Sequence, residues 1–158
     1  MGNMIVRSLV AMVMLAVMSF PAFTSTTGPR ADWKAFVSKS LQVVLDYPSD
    51  WSVTESPTGA VFTAPDGATV LLGAIDTGVL SPEEFQLENQ LPNTRCASSM
   101  NRHGLTVRFC FDTVSFAYAA DFVIRPPRGT PRLLALAMGK RGDLQVFRAM
   151  IESLRPAW

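Results

Sequence analysis

Short runs in which every second residue is apolar recur along the chain, and this period-two pattern constrains the fold more than any other feature. In "LQVVLDY" at 41–47 and "LTVRFCFD" at 105–112, the apolar side chains alternate onto one face. Such alternation is typical of a strand with one face in a core and the other in solvent. Shorter runs at 51–55, 60–64 and 133–138 also have the composition of strands. The chain is therefore predicted to consist mainly of antiparallel strands.

Turn-forming residues separate these runs. In "LDYPSDWSV" at 45–53, Pro48 cannot donate a hydrogen bond to a sheet, and it biases Tyr47 toward an extended conformation. The segment therefore predicts a corner in which one strand ends and another begins. The Asp-Gly pair in "PDGA" at 65–68 lies between two apolar runs, which is the strongest short-range signal of a β-hairpin.

Two further strand features are less regular. Val70–Leu72 is apolar on both faces, which predicts a central strand covered on both sides. Near residue 112 the apolar positions switch from odd to even numbers. A two-residue turn at Thr113–Val114, pairing Phe111 with Phe116, would restore the parity, and so would a β-bulge in one longer strand. The turn is the favoured interpretation.

Two helices are predicted among the strands. Ser81 and Glu84 have the spacing of a capping box, and Pro92 limits the helix that would follow. In "DLQVFRAMIESL", Asp143 provides an N-cap. Apolar residues then recur at helical spacing: Leu144, Phe147, Ile151 and Leu154. These elements together predict an α+β domain, an antiparallel sheet of about six or seven strands covered by helices.

The N-terminal region has the layout of a secretory signal. Arg7 is followed by an apolar run at 9–20, which is shorter than the roughly 20 apolar residues that a membrane-spanning helix needs. We expect residues 1–25 to be a signal peptide or an uncleaved N-terminal anchor, 26–32 a polar spacer, and 33–158 a single domain. The protein is thus predicted to be extracytoplasmic, secreted or periplasmic, with membrane contact only through an uncleaved N-terminal segment.

The chain has two cysteines, Cys96 and Cys110. An oxidising compartment favours a disulfide between them. The alternative is a thiol-dependent enzyme or disulfide-exchange protein in which a cysteine acts with His103, oriented by Asp112. A metal site is not expected, because two sulfurs and one imidazole fall short of four zinc ligands. No cofactor is predicted.

The charge is distributed unevenly along the chain. Residues 26–90 hold nine acidic and three basic residues, a net charge of −6, while residues 91–158 hold ten basic and four acidic residues, a net charge of +6. In one folded domain this pattern favours neutralisation of one half by the other. Nucleic acid is not expected as a partner, because the domain is predicted to be exported and the net charges of its two halves sum to zero.

One set of basic residues is a candidate interaction patch, in two loops that would meet an acidic protein surface or anionic lipid headgroups. Its members are Arg125, Arg128, Arg132, Lys140 and Arg141. The alternative is that these residues are solvated loop ends. Glu84 and Glu88 lie one helical turn apart, and a solvated polar face is favoured there over a pair for acid–base chemistry.

The segment "WKAFVSKSLQVVLDYPSDWSV" resembles the opening of PsbP-like domains, in which an aromatic-led strand precedes an apolar strand ending in Tyr-Pro-x-x-Trp. The similarity covers roughly residues 33–156. It implies the Mog1/PsbP-type α/β/α sandwich of a secreted bacterial member of that family. The family includes extrinsic subunits of the photosynthetic oxygen-evolving complex, a eukaryotic nuclear-transport factor and many secreted bacterial domains, and no functional residue is carried over from it.

No nucleophile-elbow, phosphate-loop, dinucleotide-binding or zinc-protease motif occurs in the chain. Together with what the resemblance implies, this favours an exported, non-catalytic binding or assembly module that acts through contacts with an unknown protein partner in the cell envelope. The thiol-dependent enzyme is the alternative. A carrier of a small ligand, held between the sheet and a helix, is a third possibility that the sequence leaves open.

Overall fold

The structure, a computed structural model, describes residues 32–76, 78, 80–85, 93–138 and 144–158. Within these ranges the chain forms ten strands and one helix. The strands are β1 (Trp33–Ser38), β2 (Val43–Pro48), β3 (Ser52–Ser56), β4 (Gly59–Thr63), β5 (Thr69–Ala74), β6 (Thr94–Met100), β7 (Thr106–Asp112), β8 (Tyr118–Ile124), β9 (Arg132–Met138) and β10 (Arg155–Pro156). The helix, α1, is Leu144–Ser153.

The strands form two antiparallel sheets. The larger sheet has seven strands in the order β3-β4-β5-β9-β8-β7-β6, and the smaller has three in the order β1-β2-β10. The α+β class and a main sheet of seven strands are therefore confirmed. The expected signal peptide and the spacer up to residue 31 lie outside the described residues, as do Glu88 and Pro92. Among the residues described, no helix is long and apolar enough to cross a membrane.

The core lies between the inner face of the larger sheet and a layer made of α1 and the smaller sheet. The ring of Phe147 on α1 lies 6.0 Å from that of Phe109 and 6.4 Å from that of Tyr118. Phe36 and Tyr47 of the smaller sheet contact Phe62 at 5.2 and 5.3 Å between ring centroids. The predicted helical face is confirmed: of its four apolar residues, three are buried and the first is partly buried.

The predicted corner at 45–53 and the predicted Asp-Gly hairpin are both present. The Trp51 amide donates to the Pro48 carbonyl at 3.1 Å, and the chain passes from the smaller sheet into the larger one at this turn. In the hairpin, Asp66 Oδ1 accepts from the Ala68 amide at 2.9 Å, and Gly67 adopts a φ of 83°, which glycine tolerates without strain.

A turn separates β7 from β8, as predicted, so the two are not one strand with a bulge. The predicted pairing of Phe111 with Phe116 is wrong. Phe111 pairs with Tyr118. The loop is longer than two residues because the Asp112 carboxylate accepts from the amides of Val114 and Ser115 at 2.8 and 2.7 Å. These bonds stabilise a wider turn than the parity of the apolar positions indicates.

The prediction that β5 is covered on both sides is also wrong. The strand lies between β4 and β9, and Val70 and Leu72 are buried on the inner face. The side chain of Leu71, however, is 50% exposed on the opposite, outer face. An apolar residue in a central strand is therefore not enough to show that its face of the sheet is covered.

Candidate functional site

The two cysteines form a disulfide that joins the edge strand β6 to its neighbour. Cys96 and Cys110 face each other in the register of the two strands, and their Cα atoms are 4.1 Å apart. Cys110 is buried, while Cys96 is partly exposed on the outer face. The predicted disulfide is present, and it ties a largely exposed strand to the sheet.

The geometry of a thiol-dependent site is not present. Both cysteines are bonded, and His103 lies in the loop between β6 and β7. Four residue steps separate Cys96 from the last residue of β6, about 13 Å along an extended strand. Asp112, expected to orient the imidazole, lies at the opposite end of β7 and caps a turn. The structure thus separates the groups that the enzymatic alternative requires.

His103 belongs instead to a charged cluster between the β6–β7 loop and the end of the chain. Its Nε2 accepts from Arg102 Nε at 3.1 Å. Burial and the positive charges of Arg102 and Arg155 lower the pKa of His103, against the opposing effect of Asp46 and Glu152. The lowered pKa favours the neutral imidazole, in which Nε2 can accept that hydrogen bond.

Asp46 joins the acidic and basic halves of the chain. Its carboxylate contacts Arg102 at 3.1 Å and Arg155 at 3.0 Å, and its amide donates to Ser153 Oγ at 2.8 Å. A third ion pair, between Glu83 and Arg125, also connects the two halves. The prediction that the halves neutralise each other is confirmed by these contacts.

The predicted basic patch is only partly described. Arg125 pairs with Glu83, and Arg132 Nη1 donates to the carbonyl of Ser40 at 2.7 Å. Arg128 is exposed and makes no hydrogen bond or ion pair with the residues that the structure describes. Lys140 and Arg141 lie outside those residues, so the two-loop arrangement of the patch stays a prediction. We call residues 125–132, which connect β8 to β9 and include the first residue of β9, the arginine loop.

An open groove of about 600 Å³ lies beside the arginine loop. Its lining comes from the segment at 82–85, from β6 to β9, and from the last residues of the chain, including Trp158. The side chains of Arg108 and Asp121 also line it, and they form an ion pair of 2.7 Å with 16% and 6% of their surfaces exposed. The groove has no signal in the sequence, because its residues are distant in the chain and share no motif.

Of the helix predicted to start at Ser81, the structure describes residues 81–85, in which 82–84 form a turn with the predicted capping contact. Glu84 Oε2 accepts from the amide and the hydroxyl of Ser81 at 3.0 and 2.9 Å, which is half of a capping box. These hydrogen bonds lower the pKa of Glu84, so the carboxylate has a local structural role. Within the described part of the chain, no three His, Cys, Asp or Glu residues are grouped so that they would hold a metal.

No family model matches the chain, and no curated protein is similar to it at a significant level. Solved structures are similar to it at low sequence identity. The yeast Ran-binding protein Mog1p from Saccharomyces cerevisiae has a TM-score of 0.52 at 9% identity, over 79% of this chain and 95% of that one.

Two other solved structures have lower scores. Cyanobacterial PsbP from Synechocystis has a TM-score of 0.47 at 9% identity, over 86% of this chain and 98% of that one. A Bacteroides thetaiotaomicron protein has a TM-score of 0.49 at 14% identity, and the 79% of this chain that aligns spans 48% of that protein. The chain thus covers about half the length of the Bacteroides protein.

The seven-stranded antiparallel sheet, the added small sheet and the similarity to Mog1p define a Mog1/PsbP-like fold. The fold that the resemblance implied is therefore confirmed. At 9% identity the likeness concerns the fold alone, and the groove and the arginine loop are described from this chain's own residues.

Proposed function

We propose that the protein is an extracytoplasmic, non-catalytic binding or assembly module that contacts an acidic protein surface through the arginine loop and the adjoining groove. The observation that carries this proposal is the exposed Arg128, whose guanidinium has no partner within the described residues, in a loop whose first residue, Arg125, lines an open groove. An unpaired cation on a loop that borders a concave surface is suited to steering and orienting an anionic partner.

The rest of the arginine loop supports this role. Arg125 and Arg132 are anchored by Glu83 and by the carbonyl of Ser40, one at each end of the loop. These contacts limit the freedom of the loop, so less conformational entropy is lost when a partner binds. Arg128 lies between the two anchors and presents its charge to solvent.

The proposed location rests on the disulfide and on the N-terminal sequence. Disulfides persist in oxidising compartments outside the cytosol. The Cys96–Cys110 bond closes a hairpin whose edge strand is largely exposed, where it replaces the packing that the polar side chains of that strand do not supply. The proposed partner is therefore a protein of the cell envelope.

The yeast protein with this fold is a Ran-binding protein, which supports a binding role for the fold in that case. Only the general class of function, binding without catalysis, is carried to this chain. The partner proposed here is defined by its negative charge and not by that relative.

Affinity capture of the tagged, full-length protein from its own cell envelope tests the proposal when it is combined with charge reversal. Arg128→Glu should lose the captured partner, whereas Lys34→Glu, an equal charge change on β1, should retain it. Capture should also weaken as salt rises, because exposed charges are screened within about 10 Å at 0.1 M ionic strength. Equal capture by both variants, or capture that is independent of salt, would contradict the proposal.

Binding to anionic phospholipid vesicles tests the alternative partner, in which the arginine loop contacts lipid headgroups and not a protein. The protein should sediment with these vesicles no better than with neutral ones. If the wild type binds anionic vesicles, Arg128→Glu does not, and no protein is captured, then the arginine loop binds lipid headgroups and the protein-binding proposal is wrong.

A further inference from the structure

Among the described residues, strand β6 is an edge strand of the larger sheet with one neighbour. It pairs with β7 on one side and is last in the strand order. Five of its seven residues are exposed, and the other two are partly exposed. Within the part of the chain that the structure describes, its backbone groups make no hydrogen bond outside the β6–β7 ladder.

The register identifies the backbone groups that point outward. The Cα separation of 4.1 Å between Cys96 and Cys110 corresponds to a pair without mutual hydrogen bonds, in which N–H and C=O point away from the neighbouring strand. Residues of the same parity share this orientation. Thr94, Cys96, Ser98 and Met100 therefore direct four donors and four acceptors toward the open side.

This edge lacks the features that normally prevent pairing with another strand. It contains no proline, its register with β7 runs through all seven residues without a bulge, and Arg95 is its one charged residue. The opposite edge strand, β3, is shorter, and its Glu55 lies 3.5 Å from the hydroxyl of Ser38 on β1. Only β6 therefore presents a long, regular edge to whose outward backbone groups the rest of the described chain makes no hydrogen bond.

We propose that β6 pairs with β6 of a second copy of this chain, antiparallel about a two-fold axis through Ala97. This register places Cys96 opposite Ser98 and Thr94 opposite Met100 of the second copy. Every residue in those pairs has outward backbone groups, so the two edges can form up to about eight hydrogen bonds. A one-residue shift would pair outward with inward groups and lose the ladder.

The side chains fit this symmetric register. Ala97 is the residue on the axis, so a small side chain faces its own copy and the strands can approach closely. Arg95 faces Ser99 of the second copy and not itself, and like charges are thus not opposed. The disulfide to Cys110 fixes the edge strand before association, which reduces the entropy lost on pairing.

The dimer would place two partner-binding sites side by side. A two-fold axis perpendicular to a sheet keeps both outer faces on the same side, so the two grooves and arginine loops would face the same direction. A multivalent partner would then bind more tightly than a monomer allows. The dimer itself rests on β6 and not on the proposed function, and the purified protein alone tests it.

Sedimentation velocity and light scattering on the full-length protein should give twice the mass of one chain. Ser98→Pro should weaken dimerisation by about tenfold or more, because it removes an outward N–H from each copy without breaking a bond to β7. Ser98→Ala is the matched control and should remain a dimer. Circular dichroism should be the same for both variants.

Cysteine cross-linking tests the register independently of Ser98→Pro. Ala97→Cys should form an interchain disulfide under oxidation, since the two residues face each other on the axis, while Ser99→Cys should not. Peptide mapping should find the native Cys96–Cys110 bond intact in both. A monomer at all concentrations, a dimer that Ser98→Pro leaves unchanged, or equal cross-linking by both cysteine variants would overturn the proposal.

Discussion

Two glycines that face each other in the β4–β5 ladder have different environments. A Cβ atom on Gly59 would lie 2.3 Å from the carbonyl oxygen of Leu72, a backbone atom that cannot move without displacing β5. The nearest atom to a Cβ on Gly73 would be the carbonyl oxygen of Thr58 at 3.6 Å, an ordinary contact. The close approach of two strands thus requires glycine at one position of the pair.

Gly59→Ala should lower the free energy of unfolding by about 1–3 kcal/mol, because the added methyl group overlaps the backbone of β5. Gly73→Ala is the matched control, and its effect should stay within about 0.5 kcal/mol. Urea denaturation of both variants measures the difference. Equal destabilisation would contradict this account, because the backbone-entropy effect of replacing glycine by alanine is stabilising at both positions.

One buried hydroxyl has no hydrogen-bond partner among the described residues, that of Thr94 at the start of β6. Thr94→Val keeps the shape of the side chain and removes the unsatisfied oxygen, so it should stabilise the fold by about 1 kcal/mol. Thr106→Val, at an exposed position of β7, is the control and should change little. A loss of stability in Thr94→Val would mean that the hydroxyl has a partner.

At the scale of elements, Asn101 connects the β6–β7 hairpin to α1. Its side-chain amide donates to the carbonyls of Ile151 and Leu154 at 3.2 and 2.8 Å, at the C-terminal end of the helix. Its oxygen accepts from the amides of His103 and Leu105, both at 3.0 Å. All four hydrogen-bonding positions of the side chain are occupied.

Asn101→Ala should therefore destabilise the protein by about 2–4 kcal/mol, since buried backbone groups on two elements lose their partner. Asn101→Asp keeps the acceptor but places a negative charge at the helix C-terminus, and it should be no more stable than the alanine variant. Chemical denaturation measures both against Ser99→Ala, an exposed control in β6. Stability of the aspartate variant equal to wild type would contradict this account.

Two elements were not predicted from the sequence. Strand β6 has no apolar alternation because both its faces are largely exposed, and it is held by β7 and the disulfide. Strand β10 consists of Arg155 and Pro156, expected only to end the helix, and it pairs with Val44 and Val43 of β2. Neither segment carries a local signal, because the neighbouring strand and not the segment's own composition stabilises it.

At the scale of the whole molecule, charges that are separated in sequence meet in the fold, and the cluster around His103 should make stability depend on pH. The pKa of His103 is lowered from 6.5 by burial and by Arg102 and Arg155. The unfolded chain therefore binds a proton at higher pH than the folded chain. The contribution of His103 to the free energy of unfolding is fully present above about pH 6.5. It is lost as the pH falls through the lowered pKa of His103 in the folded protein.

The midpoint of thermal unfolding should therefore decrease as pH falls below about 6.5, and His103→Gln should flatten that part of the profile. The pKa values of Glu84 and Asp112 are also lowered, by hydrogen bonds to their carboxylates, so their contribution is lost only below their usual values of 4.5 and 3.8. The effect of His103 and the effects of Glu84 and Asp112 therefore fall in different pH ranges and can be measured separately. An unchanged slope in His103→Gln would assign the effect to another group.

The sequence by itself determined the α+β class, the corner after β2, the Asp-Gly hairpin, the capping of the segment at 81–85 and the apolar face of α1. Each of these depends on residues that are neighbours in the chain, where periodicity and turn preference act locally. The disulfide was also predictable, because two cysteines in a chain that the sequence predicts to be exported have one pairing.

Only the tertiary structure decided the free edge of β6, the pairing of Asp46 with two distant arginines, and the groove beside the arginine loop. These features depend on which strands become neighbours and on which face of the sheet is covered. Burial, strand pairing and the separation of charges are set by contacts between distant segments, and local composition does not specify such contacts.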